Sequence, residues 1–469
     1  MAGFFYDDLS WQPEIKRGEG PVYLEIVNAL KRDIKNGVLK PGDKLPPQRE
    51  LADFLGLNLS TVTRAFKICE QRGLIFATVG KGTFISSDVL ASDATTTADG
   101  TSTPNLIDLG MIFPLHDKDQ YIIGAMRHVA HSPDIEDCLS YDAPQKKDED
   151  RQLGVAWLKK MNYTVTPQHI FVVSGVQNAL AIILTSLFSA GDKIVTDRFT
   201  YTGFKNLAYM LGIRLVPVDM DRDGMDVEEL RRLCRNDKIK GIYLMAECQN
   251  PTAYSMPAER RQAVARVIRE NGLILLEDDT YAFLKNTGVK PISAYVPERS
   301  VYISGTSKAL SAGLRVAFLA VAQEFRTRID LGIRNINLMT SHFNTQIVAH
   351  LVRTGLADEI IRKKRTEAQA RNALADKILA GYDVRGGRRD YFRWLILPEG
   401  IHGREFEAAA RDEGVNVFCA EKFVVGSDFP FDAVRVSLSA APTKQQLGKG
   451  LHILRALLEQ KPQAAPFII

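Results

Sequence analysis

Four strand-like runs in this chain end in residues able to do chemistry. "VVSGVQNAL" carries Ser174 and Gly175 into a helical pattern, and free N–H groups at a helix start hold an anion. "AECQNPTAYSMP" presents an amide, Asn250, and "LLEDDTY" closes on Asp278 and Asp279 with Tyr281 just beyond. "SGTSKALSAGLR" follows "VYI" and sets Lys308 and Arg315 among small residues. A lysine amine adds to an aldehyde in Schiff-base chemistry. A carboxylate at a strand edge keeps a pyridine nitrogen protonated, so that the ring draws electrons from a carbanion. Asn250 and Tyr281 can donate to a ring hydroxyl oxygen, and Ser174, Gly175 and Arg315 can cup a phosphate. Together these residues suit an aldehyde cofactor built on a phosphorylated pyridine. Taken singly, each stretch also reads as a plain turn or a helix cap.

Such residues need elements to carry them. From 105 onward, apolar β-branched runs ("HIFVVSG", "KIVTD", "IRLVPVDMD", "KGIYLMAE", "LILLEDD", "SVYIS", "VAFLAV") alternate with helical stretches such as "VQNALAIILTSLFSAG" and "AERRQAVARVIRENG". This pattern predicts an α/β fold with a largely parallel sheet covered by helices. Ligands in such sheets bind beyond the carboxyl ends of the strands, which is where the residues above fall.

Residues 86–104, "SSDVLASDATTTADGTSTP", hold few side chains able to bury apolar area, and read as a flexible linker. Before it, "PVYLEIVNALKRDIKNG" repeats apolar residues at helical spacing, with a glycine stop at 37. "PQRELADFLG" is a short helix between Pro47 and Gly56. "NLSTVTRAFKICEQRG" is a third, capped by Asn58 or Ser60. "LIFATVGKGTFI" is a hairpin around "GKG". Two short helices joined by a tight turn and followed by a hairpin describe a winged helix-turn-helix. The third helix would offer Ser60, Thr61, Thr63 and Arg64 to base edges or phosphates. Gln48 and Arg49 open the helix before it, and Lys81 and Gly82 form the hairpin tip. From 59 to 82, Arg64, Lys67, Arg72 and Lys81 stand against Glu70 alone. The competing reading is a small interaction domain with a solvated basic face.

"GDKLPPQRELADFLGLNLSTVTRAFKICEQRGLIFATVGKGTFI" resembles the GntR-type winged helix, although Leu59 stands where family members often carry an Arg. The body resembles the fold-type I pyridoxal phosphate enzymes, the aminotransferases of the aspartate and kynurenine type. The resemblance implies pyridoxal 5'-phosphate as cofactor and Lys308 as the Schiff-base lysine. It implies Asp278 as partner of the pyridine nitrogen, and Asn250 and Tyr281 as ligands of the 3-oxygen. It implies Gly175, Val176 and Gln177 as the phosphate loop, with Ser307 and Arg315 completing the cup. Tyr201 would stack on the ring, and Tyr141 would reach the phosphate of a neighbouring subunit. Arg435, in "AVRVSLSA", would grip a substrate carboxylate by two parallel hydrogen bonds. Two departures stand out. Gly305 replaces a Ser or Thr, and "DAPQKKDEDRQLG" crowds Asp and Lys into a loop at the substrate mouth.

The combination resembles the MocR subgroup of bacterial regulators. It implies a winged helix over 13–85, the linker over 86–104, and an effector body over 105–469 whose small subdomain spans about 350–469. It also implies a homodimer on double-stranded DNA with two half-sites, and a small amino compound as effector. Two functions stay open: a transcription regulator whose cofactor-bound body senses an amino compound or the cofactor itself, or an active aminotransferase with an accessory DNA-binding module.

Bulk properties set the limits. The 469 residues carry a net charge of +4, so a basic function must be local. Apolar content is 45% and charged content 25%, ordinary for a globular protein. Five cysteines without a CxxC pair point to a reducing cytoplasm rather than to disulfides or a metal site. No membrane role is expected. The N-terminus lacks the apolar core of a signal peptide, and "ALAIILTSLF" falls well short of the roughly 20 residues that cross a bilayer.

Overall fold

A computed structural model describes residues 9–15, 21–39, 43–71, 74–78, 82–85, 106–116, 119–141, 144–285, 288–426 and 431–460. Lys81 and the 86–104 segment lie outside the described residues.

In the N-terminal part, α1 (Val22–Lys35), α2 (Gln48–Leu55) and α3 (Leu59–Gln71) precede the antiparallel strands β1 (Ile75–Thr78) and β2 (Gly82–Ile85). Helical spacing in α1 puts Ile26, Val27, Leu30 and Ile34 on one buried face. They meet Leu51, Ala52, Val62, Ala65 and Phe66 in one core, which Trp11 joins from the preceding arm. Gly56 ends α2 at φ 61°, a left-handed turn that glycine adopts without cost. Asn58, rather than Ser60, caps α3: its Oδ1 accepts from the Ser60 N–H at 3.1 Å. The carbonyl of Asp43 and the bridge Lys44↔Phe84 extend the wing on its inner side.

In the body, after β3 (Ile107–Asp108), a seven-stranded sheet is formed from β4 (Ile170–Val173), β5 (Lys193–Asp197), β6 (Arg214–Val218), β9 (Ile239–Leu244), β10 (Ile274–Asp278), β11 (Ser300–Gly305) and β12 (Ala317–Val321). Its order is β4-β12-β11-β10-β9-β5-β6. Only β12 runs antiparallel to its neighbours. The small ribbon of β7 (Met220–Asp221) and β8 (Gly224–Met225) lies beyond β6. Both faces of β10 and β11 are buried, which explains their unbroken apolar runs. A second sheet joins β13 (Val384–Arg385), β14 (Phe392–Ile396), β16 (Phe418–Cys419) and β17 (Ala433–Ser437) in the order β13-β14-β17-β16. Its own core includes Leu395, Val434, Leu451 and Leu454. β15 (Val415–Asn416) pairs with β3 in a ribbon of two strands, and its Val415, with Leu109 beyond β3, joins the smaller sheet's core, which stitches the chain entering the body to that part.

One expectation is corrected. The stretch after Tyr141 is not a loop: Pro144–Lys160 is a helix of 17 residues. Proline fits a first helical turn, and the Gln, Lys, Glu, Arg and Leu that follow are good helix formers.

Candidate functional site

The carboxyl ends of β4, β10 and β11 face one site, and the second sheet brings Arg435 to it. Gly175 precedes the Val176–Leu187 helix at φ 93°. A Cβ there would lie 2.6 Å from Arg315 Nη2, so only glycine leaves room for the guanidinium. Arg315 Nη1 donates to Ser307 Oγ at 3.3 Å. Arg315 itself holds φ 47°, a left-handed conformation that costs a non-glycine residue on the order of 1–3 kcal/mol and is characteristic of functional sites. Gly175, the first-turn N–H groups of Val176 and Gln177, Ser307 and Arg315 thus form an anion cup. Gly305 also finds its reason here. A Cβ would sit 2.6 Å from a Val176 methyl, so a Ser or Thr does not fit.

Asp278 is buried at the end of β10. Tyr243 donates to its Oδ2 at 3.0 Å, and Thr280 donates to its Oδ1 through the hydroxyl at 2.6 Å and through its N–H at 3.2 Å. All these donors are neutral, and no cation pairs with Asp278 among the described residues. Burial pushes its carboxyl above the ordinary range, against the lowering by Thr280 and Tyr243. Holding such a carboxylate without a counter-ion costs on the order of several kcal/mol. A protonated ring nitrogen would relieve that cost.

Lys308 follows β11 and its Nζ donates to the carbonyl of Ile112. Burial, then Arg435 and Arg315, lower the amine to about 8, so about a tenth of it is neutral at pH 7 and about half at pH 8. Tyr201 bonds Gln177 Oε1 at 3.2 Å, and Gln177 in turn holds the Gly203 carbonyl at 3.0 Å. Burial first, then Asp278, raise Tyr201 to about 12. Tyr281 is buried edge-on to Phe392, with ring centroids 5.3 Å apart. Burial holds its phenol well above the usual range, and Arg435, Tyr201 and Asp278 all act on it.

Arg435 is 5% exposed. Its Nη1 donates to Asn250 Oδ1 at 2.7 Å and its Nη2 to the Gly110 carbonyl at 2.6 Å. Its Nε has no hydrogen-bond partner among the described residues. The guanidinium lies over Phe423, 4.7 Å from the ring centroid. Burial pulls it down to about 10, a heavy perturbation for an arginine. With Oδ1 engaged, the Asn250 amide nitrogen is left as the donor.

The structure therefore gathers Gly175, Val176, Gln177, Tyr201, Asn250, Asp278, Tyr281, Ser307, Lys308, Arg315 and Arg435. It leaves Tyr141 out of this cluster. That residue is 77% exposed and borders a surface cavity with Arg151, Arg334 and Thr340. Sequence reasoning missed Tyr243, Thr280, Gly110 and the Ile112 carbonyl. A tyrosine inside the aliphatic run of β9 was the available signal, because a buried phenol needs a partner.

In the N-terminal part, Ser60, Thr63, Arg64 and Lys67 form an exposed face of α3, with Thr61 half-buried beside them. Arg49 is exposed on α2, and Gly82 opens β2. Thr63 Oγ1 donates to Gln48 Oε1 at 2.9 Å, so these two side chains brace α2 against α3 and leave the Gln48 amide nitrogen outward. Arg64 stacks over the Tyr23 ring of α1 at 4.0 Å, a contact that sequence reasoning also missed.

Residues 104–454 match the family "Aminotransferase class I and II", and residues 22–85 match "Bacterial regulatory proteins, gntR family". A Bacillus subtilis (strain 168) protein, "Uncharacterized HTH-type transcriptional regulator YdeF", is 38% identical over 96% of this chain and 97% of its own length. An Escherichia coli (strain K12) protein, "Uncharacterized HTH-type transcriptional regulator YdcR", is 22% identical over 87% of this chain and 93% of its own. Among solved structures, a Pyrococcus horikoshii kynurenine aminotransferase in complex with PMP superposes with a TM-score of 0.71. It is 21% identical over 80% of this chain and 95% of that one, a likeness of fold.

Proposed function

Because this chain belongs to the class I and II aminotransferase family through its body, and over nearly its whole length to the HTH-type transcriptional regulators, we propose that it is a pyridoxal phosphate-dependent regulator whose body senses an amino compound. The observation that carries this is the buried Asp278, without a counter-ion among the described residues, in one cluster with an amine lowered to about 8 at Lys308 and a glycine-floored anion cup.

The residues present fit the cofactor. Gly175, Val176, Gln177, Ser307 and Arg315 would hold its phosphate, Asp278 its ring nitrogen, and Asn250 and Tyr281 its 3-oxygen. When bound, the group supplies an aldehyde for an amine and a pyridine ring that draws electrons. The remaining work is done by the chain. Burial keeps the Lys308 amine poised to lose its proton near pH 8. Tyr201 walls the ring site from the Gln177 side. Arg435 can exchange the Gly110 carbonyl for a carboxylate while Asn250 keeps it aimed. Since Gly110 continues from β3, which is tied to β15, and Leu109 and Val415 of this ribbon share the core of the smaller part, a carboxylate on Arg435 acts on the junction between the two parts of the body.

The N-terminal domain binds double-stranded DNA, with Arg49, Arg64 and Lys81 as its principal cations and Ser60, Thr61 and Thr63 near the bases. A dimer of bodies would carry two such domains to two half-sites, and the exposed Tyr141 is placed to enter a partner's site. This assigns the protein to the bacterial cytoplasm, on the nucleoid. Turnover is the second reading, favoured by the depressed Lys308 amine. One experiment separates them: titrate the full chain with amino acids while following absorbance between about 330 and 430 nm, operator affinity and keto-acid release. A regulator changes operator affinity without sustained release. Sustained release at unchanged affinity would establish the enzyme instead.

A further inference from the structure

A second cleft, outside the cofactor cluster, opens between the large and small parts of the body. Its volume is about 670 Å³, within the range of small-molecule sites. Lys308, Asp278 and Arg435 do not line it. Its floor is aromatic. Phe199, from the segment after β5, packs on Trp394 of β14 and on Phe431, with ring centroids 5.5 and 5.6 Å apart. Tyr254 closes a third side, with its hydroxyl held by Asp197 at 2.9 Å and Gly224 leaving room for its ring. Trp394 and Phe199 are buried behind Phe431, which with Tyr254 gives the cleft its aromatic surface, suited to a flat ring.

The rim is basic. Arg198, Arg222, Lys285 and Arg385 line the cleft, against the carboxylates of Asp219 and Asp221. Arg198 is engaged by Asp219 at 2.5 Å, Lys285 by the buried Asp390 at 2.9 Å, and Arg385 by Asp383 at 2.9 Å. Asp221 is taken by Arg260 from outside the cleft at 2.7 Å. Arg222 is exposed and has no acidic partner among the described residues. Among the described residues, the unmatched charge at the mouth is therefore positive, beside the aromatic surface. We infer that this cleft is a ligand site of its own, for a planar aromatic carboxylate, in which the ring lies against Phe431, beside the Arg385 guanidinium, and the carboxylate meets Arg222.

The inference is independent of the cofactor reading, yet an occupant would not be silent there. Thr252 and Ala253 of the cleft belong to the turn that carries Asn250. Trp394 pairs with Arg435 across β14 and β17, and Phe199 precedes Tyr201 by two residues. A ligand between these walls touches both parts of the body and the segments that aim Asn250, Arg435 and Tyr201.

The test uses the full chain with naphthalene-2-carboxylate as probe, read by its fluorescence, and the neutral naphthalene-2-methanol as comparator. We expect one saturable site per chain, with the neutral comparator and Arg222→Ala each weakening binding about tenfold, the scale of one lost charged hydrogen bond. Phe431→Ala should abolish it, and Arg435→Ala should retain it. Arg222 is exposed, so its variant answers even if Phe431→Ala does not fold. No saturable binding, equal binding of the comparator, or loss in Arg435→Ala with retention in Arg222→Ala would each overturn the assignment. None of these outcomes bears on whether Lys308 carries a cofactor.

Discussion

The N-terminal domain and the body both use cations, in opposite ways. On α2 and α3, Arg49, Arg64 and Lys67 stand exposed. Arg49 and Lys67 can meet a phosphate directly, while Arg64 is held over the Tyr23 ring at 4.0 Å. In the body, Arg435 is 5% exposed and lowered to about 10, and Lys308 is lowered to about 8, in both cases first of all by burial. An exposed charge costs little to hold and contributes to polyanion binding additively and in a salt-dependent way. A buried charge is costly to hold, and the cost confers selectivity: it is relieved only by a group of the right sign in the right place. The body is thus built to distinguish one small molecule from another, and the exposed face to adhere to a backbone whose sequence other residues read.

The sharpest break of this comparison is Lys308→Ala. It should remove the visible, borohydride-reducible chromophore of the purified protein entirely, while affinity for DNA of arbitrary sequence stays intact. Retention of a reducible chromophore would falsify the lysine's assignment.

Next in size is pH. Folded Lys308 changes charge near pH 8, so the neutral fraction that can add to an aldehyde falls about tenfold for each unit below that. Cofactor uptake by the apoprotein should rise steeply from about pH 6 to pH 8 and then level. The stability sign follows from the same shift. An amine lowered from 10.5 to about 8 leaves the unfolded chain holding the extra proton in that window, so Lys308's contribution to stability grows as pH rises through it. Flat uptake kinetics across this range would show that the amine is not buried as described.

Smaller again is Arg435→Ala. Loss of a charged hydrogen bond costs about 1.5–3 kcal/mol, or roughly tenfold to a hundredfold in the response to a carboxylate-bearing effector. The chromophore should persist. Arg435→Lys should restore only part of the response, because one ammonium cannot replace a two-pronged guanidinium. An unchanged response would mean that the effector has no carboxylate.

The smallest effects belong to the exposed face. Arg49→Ala and Arg64→Ala should each lower the salt slope of DNA binding by roughly one unit, equally on every sequence. Arg64 offers a refinement through its stack on Tyr23. If that stack aims it at a base, Arg64→Ala should relax specificity at one position by roughly 1–3 kcal/mol, and Tyr23→Ala should do the same more weakly. Salt titrations on matched and scrambled half-sites separate the two.

Much of the site was legible because β4 is apolar throughout and β10 and β11 are apolar through Ile274–Leu276 and Val301–Ile303. Asp278 closes β10 and Lys308 follows β11 by three residues, and charges just beyond apolar runs draw the eye. What stayed hidden was assembled across long separations. Arg435 and Gly110 are 325 positions apart, and nothing in "DLGMIF" announces that its carbonyl holds a guanidinium. Tyr23 and Arg64 lie on different helices, so no single-helix periodicity could join them. The Pro144–Lys160 helix was misread because its charged surface resembles a loop in composition, while its buried residues, Leu153, Trp157 and Leu158, appear only in its second half.

The connection between β11 and β12 has one more consequence. These strands are antiparallel neighbours with Gly305 opposite Ala317, so both ends of the eleven residues between them are fixed. Lys308 and Arg315 sit in that one span, in the proposed function the first to take an aldehyde carbon and the second a phosphate. The span works as a caliper whose jaws cannot drift independently. A molecule with the right groups at the wrong separation would satisfy one jaw or the other, never both. Surface loops tolerate added residues. Here a single residue inserted between the jaws would change what the protein can measure, without altering any side chain that touches the ligand.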